Sequence, residues 1–322
     1  MKREIGPDQI ERDPASIVSV GTFDGVHAGH RAVVRYLLNR AEAQGGTATV
    51  ISFDPHPRAV LTGQDVPLLT TPTERANQFE ALGLDRFVLM PFTKEFSQIE
   101  ARDYVRDVLV GQVGMQEIVI GYDHRFGKGR AGDADLLKEM APEYGFAVDV
   151  IGAQEVEALG VASSSRIREL LAEEGNAEQA ASLLGRLYAV EGVVEQGEGR
   201  GKQIGFPTAN VRPGDARTLM PKVGVYAVRA LLENETEPRP AMANIGRRPT
   251  FGEEEVRLEV HLLDFEGALY GQTLRVEFAE RLRDERAFDG PDALREQLSR
   301  DKARCRSVLT SEAGPGAQAS AT

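Results

Sequence analysis

The sequence predicts two architectures in one chain: an α/β domain on a doubly wound parallel sheet, then a mainly-β barrel with a terminal helix. Three observations predict this. Through the first half, short β-rich runs alternate with amphipathic helical stretches, the rhythm of a parallel sheet covered on both faces. From residue 186 strand-like runs follow one another with only turns between them, the rhythm of a small antiparallel barrel. No segment repeats, so the halves read as different folds joined near residues 180–186.

In the first half the runs 16–20, 47–53, 86–90, 117–121 and 147–152 are β-rich, and 28–44, 72–82, 101–110 and 133–144 carry helical patterns. Thr71-Pro72-Thr73-Glu74 is a helix start, with a capping threonine, proline at the first helical position and glutamate two residues on. Helices are expected at 164–174 and 176–184. The barrel runs are 187–195, 223–232, 241–245, 256–264 and 273–282, before a last helix at 291–309. The closing SEAGPGAQASAT is small and polar and is expected to be disordered. The expected domains are therefore 1–184 and 185–309, with a tail at 310–322.

Charge excludes one class of function. The 322 residues carry 50 acidic against 38 basic side chains, a formal charge of −12, which disfavours nucleic acid because phosphate neutralisation dominates that affinity. An anionic ligand must therefore be held at a local site. Cys305 is the single cysteine, so an intramolecular disulfide and a cysteine-rich metal site are excluded. The opening MKREIGPDQIERD has no secretory-type apolar stretch, and no run approaches the roughly 20 apolar residues of a membrane span. The expectation is a cytoplasmic protein with small-molecule partners and no membrane partner; a weak homo-oligomer stays open.

Ligands of an open parallel sheet sit at the carboxyl ends of its strands, which singles out the loops after Val20 and Phe53. The first is GTFDGVHAGH, residues 21–30. Gly21 and Gly25 allow a sharp turn and close approach to a ligand, and the following helix offers unpaired amides to phosphate. His27 and His30, three apart around Ala28 and Gly29, can share one side of the first helical turn and stabilise charge on a displaced pyrophosphate. Taken alone, two histidines beside a glycine turn read as surface caps. His56, His124 and His261 complete the histidines, and no motif supplies a third metal ligand.

This run resembles the signature of the HxGH nucleotidyltransferase superfamily. With FDPHPR (53–58), GYDHRFGKGRAGD (121–133) and ASSSRIR (162–168), it is similar to the adenylyltransferase module of bacterial bifunctional riboflavin kinase/FAD synthetases. Four motifs occur in the family's order. The resemblance implies catalytic roles for His27, His30 and Arg168, and ATP or phosphate contacts for Gly21, Phe23, Asp24, Gly29, Ser164 and Ser165. It implies flavin contacts for Phe53, His56, Pro57 and Asp123. Ser165 stands where the family usually has threonine, and Asp123 and His124 where many members have asparagine and phenylalanine.

The second constellation is GVVEQGEGRGKQIGFPTAN, residues 192–210. Clustered glycines let backbone amides nest an anion, and Thr208 and Asn210 offer oxygens of the kind Mg²⁺ takes alongside phosphate and water. No Lys-Ser or Lys-Thr pair makes it a P-loop, and alone it reads as a flexible hairpin. GFPTAN, however, resembles the riboflavin kinase signature, a six-stranded barrel family. RLEVHLLDFEGALYG (257–271) and EFAERLRDERAF (277–288) are similar to that family's catalytic strand and flavin region. The resemblance implies Mg²⁺ and ATP binding by Thr208 and Asn210, phosphate contacts from Gly199, Gly201 and Lys202, a flavin contact from Arg283, and Glu259 as general base. By alternation alone Glu259 is an outward-facing strand residue.

The reading is a bifunctional transferase that phosphorylates riboflavin to FMN and adenylylates FMN to FAD, with ATP and Mg²⁺. The alternatives are a nucleotidyltransferase for another substrate, which should lack GFPTAN, and a flavin sensor, which should lack the catalytic groups.

Overall fold

The computed structural model describes residues 1–152, 162–197, 201, 205–249 and 254–311. The chain divides into two compact units, Met1–Ser163 and Ser164–Thr322.

The first unit is one sheet of β1 (Lys2–Ile5), β2 (Ser16–Val20), β3 (Thr47–Asp54), β4 (Arg86–Pro91), β5 (Met115–Gly121) and β6 (Ala147–Ile151). The spatial order is β1-β4-β3-β2-β5-β6 and every pair is parallel. Its helices are α1 (Ala28–Gln44), α2 (Pro57–Thr62), α3 (Pro72–Ala81), α4 (Ala101–Asp103, continued by a π-wound stretch Tyr104–Val113) and α5 (Ala134–Tyr144). Consecutive residues of β2 serve opposite faces: Val18 joins a cluster with Val88, Leu109 and Phe146, and Ile17 one with Leu37, Phe79 and Phe87. Both faces are buried, which is why the strands read as unbroken apolar runs.

The sequence reading missed β1, whose Lys-Arg-Glu-Ile pattern lacks an apolar face. It is a strand because Glu4 accepts from Arg86 Nε (2.9 Å) and Nη2 (2.6 Å), both side chains being buried. Such pairing makes a buried charge tolerable at a sheet edge. Helix α3 carries the capping box expected at its start, Thr71 and Glu74 satisfying each other's backbone amides.

The second unit opens with α6 (Ser164–Glu169, continued by a π-wound stretch Leu170–Glu174) and α7 (Ala177–Leu184). Then come β7 (Tyr188–Glu195), β8 (Ala209–Pro213), β9 (Gly224–Leu232), β10 (Arg239–Pro249), β11 (Glu254–Leu262), β12 (Thr273–Arg283) and α8 (Pro291–Ser311). The six strands close into an antiparallel barrel in the order β10-β11-β8-β7-β12-β9. Tyr226, Ala243, Val260 and Ala209 lie in one cross-strand row of buried residues, the barrel interior. Val225, Ala227 and Met242 have the opposite parity, and Cys305 with Val308 and Leu309 of α8 packs against them. The helix thus covers part of the barrel's outer surface.

The rhythm yielded five barrel strands; β8 is the sixth, five residues ending in Pro213. Helix α8 runs to Ser311, so the first two residues of the expected tail 310–322 are helical. The rest of that tail lies outside the described residues.

Candidate active sites

In the first unit the chain runs outward from β2 through β3 to β4, then crosses back to place β5 on the other side of β2. That reversal makes the carboxyl ends of β2 and β5 the expected ligand crevice. The loop after β2 carries residues 21–27, and the loop after β5 carries Asp123 and His124.

The loop after β2 is tightly determined. Phe23 (φ 49°) and Val26 (φ 39°) adopt left-handed backbone, costly for a bulky or β-branched residue, and Gly25 has φ 85°. Asp24 holds this shape: its fully buried carboxylate accepts from the amides of Leu69 (3.1 Å) and Thr70 (2.9 Å) and from the Thr70 hydroxyl (3.1 Å). The same hydroxyl accepts from the Gly25 amide at 2.9 Å. Arg75 of α3, also buried, donates to the Thr22 carbonyl (2.7 Å) and the Ser52 hydroxyl (2.6 Å), tying the loop to the end of β3. Sequence reasoning missed Thr70, Ser52 and Arg75, because nothing local marks them as partners of a loop up to 53 residues away.

His27 is the N-cap of α1, its Nδ1 accepting from the His30 amide at 3.3 Å. That bond needs a bare Nδ1 and puts the proton of a neutral ring on Nε2. The two imidazoles stack, with centroids 3.6 Å apart and planes 18° from parallel. The Phe23 ring meets His30 edge-on at 5.1 Å. Burial, then the neighbouring His27 and Arg75, hold the pKa of His30 well below the usual 6.5. Its Nδ1 is buried without a hydrogen-bond partner. Gly21 lies against the Phe23 ring, where an added Cβ would come within 3.1 Å, and Gly29 is in the first turn of α1.

The other expected residues of this unit distribute unevenly. Phe53 is buried at the end of β3, its ring edge-on to Phe92 at 5.5 Å. His56 caps α2 and Pro57 is its first residue. Asp123 is exposed in the turn after β5, and burial pushes the adjacent His124 down to about 4. Ser164, Ser165 and Arg168 fall in the second unit, on α6.

The second unit carries a cleft of about 570 Å³ on the barrel's outer face, in the range of small-molecule sites. Gly201, Thr208, Glu259 and Arg283, widely spaced in sequence, all line it. Glu195, Asn210, Glu259, Asn244 and Val225 form one cross-strand row, so their side chains share a face. Glu259 does point outward from the barrel, as alternation requires, but into this cleft. Gly197 packs against Asn210, where a Cβ would fall 1.9 Å from Nδ2. Phe288, Leu294 and Leu298 supply apolar wall. The guanidinium groups of Arg283 and Arg286 lie over the Phe288 ring, 5.7 and 4.9 Å from its centre. Arg283 is engaged by Asp301 of α8 through Nε (2.9 Å) and Nη2 (2.8 Å), so its charge is balanced within the fold. Gly199 and Lys202 lie outside the described residues.

A model of the FAD synthetase family matches residues 9–165, and one of riboflavin kinase matches residues 184–309. The bifunctional riboflavin kinase/FMN adenylyltransferase of Escherichia coli K12 is 37% identical over 292 residues, covering 90% of this chain and 91% of that protein. The chain belongs to the bifunctional riboflavin kinase/FMN adenylyltransferase family. The Bacillus subtilis member is 36% identical over 298 residues, covering 91% of this chain and 92% of that protein. A crystal structure described as a macrolide-efflux protein from Streptococcus pneumoniae matches with a TM-score of 0.84 at 31% identity, over 95% of this chain and 99% of that one. Among the described residues of this family member, no helix is long and apolar enough to cross a membrane.

Proposed function

We propose that the two reactions of the family are divided between the two places described above, FMN adenylylation at the sheet and riboflavin phosphorylation on the barrel. The chain phosphorylates riboflavin to FMN with ATP and adenylylates FMN to FAD with release of pyrophosphate. We assign residues 1–184 to adenylyl transfer and 185–309 to the kinase. The observation that carries the kinase assignment is the meeting of Thr208, Glu259 and the apolar wall in one cleft, with Asn210 beside Glu259 in the sheet.

In the kinase step the terminal ribityl hydroxyl attacks the γ-phosphorus, its proton passes to Glu259, and the bond to the ADP oxygen breaks. Arg283 and the Phe288 wall orient the flavin ring, and Gly201 lets the backbone approach phosphate. Thr208 Oγ1 and Asn210 Oδ1 are hard, neutral donors that fit Mg²⁺, an ion that keeps water and phosphate oxygens in its shell. Bound there, the ion would neutralise charge on the transferring phosphoryl group. Gly199 and Lys202 keep their phosphate role by family resemblance alone.

In the adenylyl step an FMN phosphate oxygen attacks the α-phosphorus of ATP and pyrophosphate departs, so no protein nucleophile is required. His27, through Nε2, and neutral His30 donate N–H groups to phosphate oxygens as charge builds, helped by the N-terminus of α1. Gly21 and Gly29 keep the path to phosphate open, Asp24 fixes the loop, and Phe23 buttresses His30. His56, Pro57 and Asp123 edge the flavin site with Phe53 beneath. Ser164, Ser165 and Arg168 serve ATP phosphates by family resemblance. Both reactions run in the cytoplasm on small molecules, without nucleic acid or membrane, consistent with the charge of −12; self-association, if any, is weak.

The test is incubation with riboflavin, ATP and Mg²⁺, resolving FMN and FAD over time. FMN is expected to rise first and FAD to follow; a chain that turns over neither flavin is not this enzyme.

A further inference from the structure

The motif that carries Glu259 also carries His261, two residues on and therefore on the same face of β11. It lines the kinase cleft, is only 8% exposed, and its Nδ1 lies 2.7 Å from the Pro207 carbonyl oxygen. A carbonyl only accepts, so Nδ1 carries the proton. Burial lowers the pKa of this imidazole, with the bond to Pro207 opposing, so the ring is neutral with its one proton committed there. The Phe206 ring packs against it at 5.2 Å.

The position of this bond is informative. The ladder between β8 and β11 pairs Val211 with Leu258, Asn210 with Glu259 and Ala209 with Val260, and stops there. The chain then leaves the sheet through Thr208 and Pro207, and proline has no N–H with which to make a tie of its own. The His261 side chain supplies the next link across the same two segments. It spans the residue proposed to hold Mg²⁺ and the strand that carries the proposed base.

We propose that His261 is a positioning residue of the kinase, its Nδ1–H holding the Pro207 carbonyl so that Thr208 faces the phosphates at a fixed distance from Glu259. This rests on the assignment of the barrel cleft as the riboflavin kinase site. The imidazole touches no reacting atom, so its loss should weaken use of metal and ATP more than use of flavin.

The experiment compares His261→Asn with His261→Leu in the full chain. The two replacements are nearly the same size, both lack the ring, and only asparagine retains an N–H donor near the Nδ1 position. For His261→Leu, kcat/KM for ATP at fixed Mg²⁺ is expected to fall about tenfold, the scale of one lost buried hydrogen bond, and half-saturating Mg²⁺ to rise. KM for riboflavin should stay within about twofold, and His261→Asn should regain most of the loss. Equal behaviour of the two variants, whether both active or both impaired, overturns the proposal. If the leucine variant melts far below the parent, His261→Asn decides alone: near-parental kinetics support the tie, and impairment as deep as in Thr208→Val refutes it. A parent that fails to phosphorylate riboflavin instead refutes the cleft assignment, which separates the two failures.

Discussion

His30 is held neutral by burial and by its neighbours His27 and Arg75, so in the role proposed for it the imidazole acts on phosphate as an N–H donor in a dry, fixed position. Removing one such preorganised donor typically costs about 10²–10³ in rate. His30→Ala should therefore lower FAD formation from supplied FMN by that factor while riboflavin phosphorylation continues, as separate assays with the two substrates would record. Parallel loss of both activities would mean that the imidazole serves folding instead. His124 adds a pH dependence with a definite sign. Its pKa is about 4 in the fold against 6.5 in the unfolded chain, so between those values the unfolded state binds the extra proton. Stability present above pH 6.5 is lost as the pH falls toward 4, and His124→Phe should flatten that part of the melting-temperature profile. An unchanged slope would mean that the ring is not held neutral. The histidines at 27 and 30 were legible as a pair from their spacing and their place between strand and helix. The stacking, the tautomer of His27 and the low pKa of His30 were not, because they depend on Phe23, Arg75 and burial that no local pattern encodes.

At the scale of elements, helix α8 does more than end the chain. Its buried Asp301 accepts from Arg283 at the end of β12 and from Gln297 Nε2 at 2.7 Å, while Gln297 in turn accepts from Arg286. These contacts fix the 283–288 segment that presents Phe288 to the cleft. Asp301→Ala leaves Arg283 with its bond to the Asp284 carbonyl but without its counter-charge. The barrel should lose about 3 kcal/mol, the lower end for breaking a buried ion pair, and KM for riboflavin should rise. Denaturant melts and kinase assays would show both, and a full-stability variant would make the pair ornamental. Elements with a strong local signature were readable. The capping box of α3 named its own start, and α1 and β2 fell where periodicity put them. β1 and β8 were not readable, each for its own reason. The first depends on long-range ion pairs, Glu4 with Arg86 and Arg3 with Glu80, and the second on a short ladder to β7 and β11 that closes the barrel. The hold of Asp24 on the 69–70 segment of its own unit was likewise not readable, because its partners lie 45 and 46 residues away.

At the scale of the whole molecule, the change of rhythm near residue 186 marked the passage to the barrel, but the compact second unit begins at Ser164. The reason is in the packing of α6 and α7: the Lys222 amide donates to the Leu171 carbonyl at 2.8 Å, and Gly175 lies against Arg281 of β12. Helical periodicity announces a helix but not which sheet it covers. The proposed division of labour makes the two sites chemically independent, joined only by the FMN that one makes and the other uses. The most direct measurement is the rate of FAD formation by Glu259→Gln, started once from riboflavin and once from FMN. Loss of a general base typically costs about 10²–10⁴, so FAD from riboflavin should fall by that range while FAD from FMN stays at the parental rate. Parental FAD formation from riboflavin, or equal loss from both substrates, would refute a separate kinase site at Glu259.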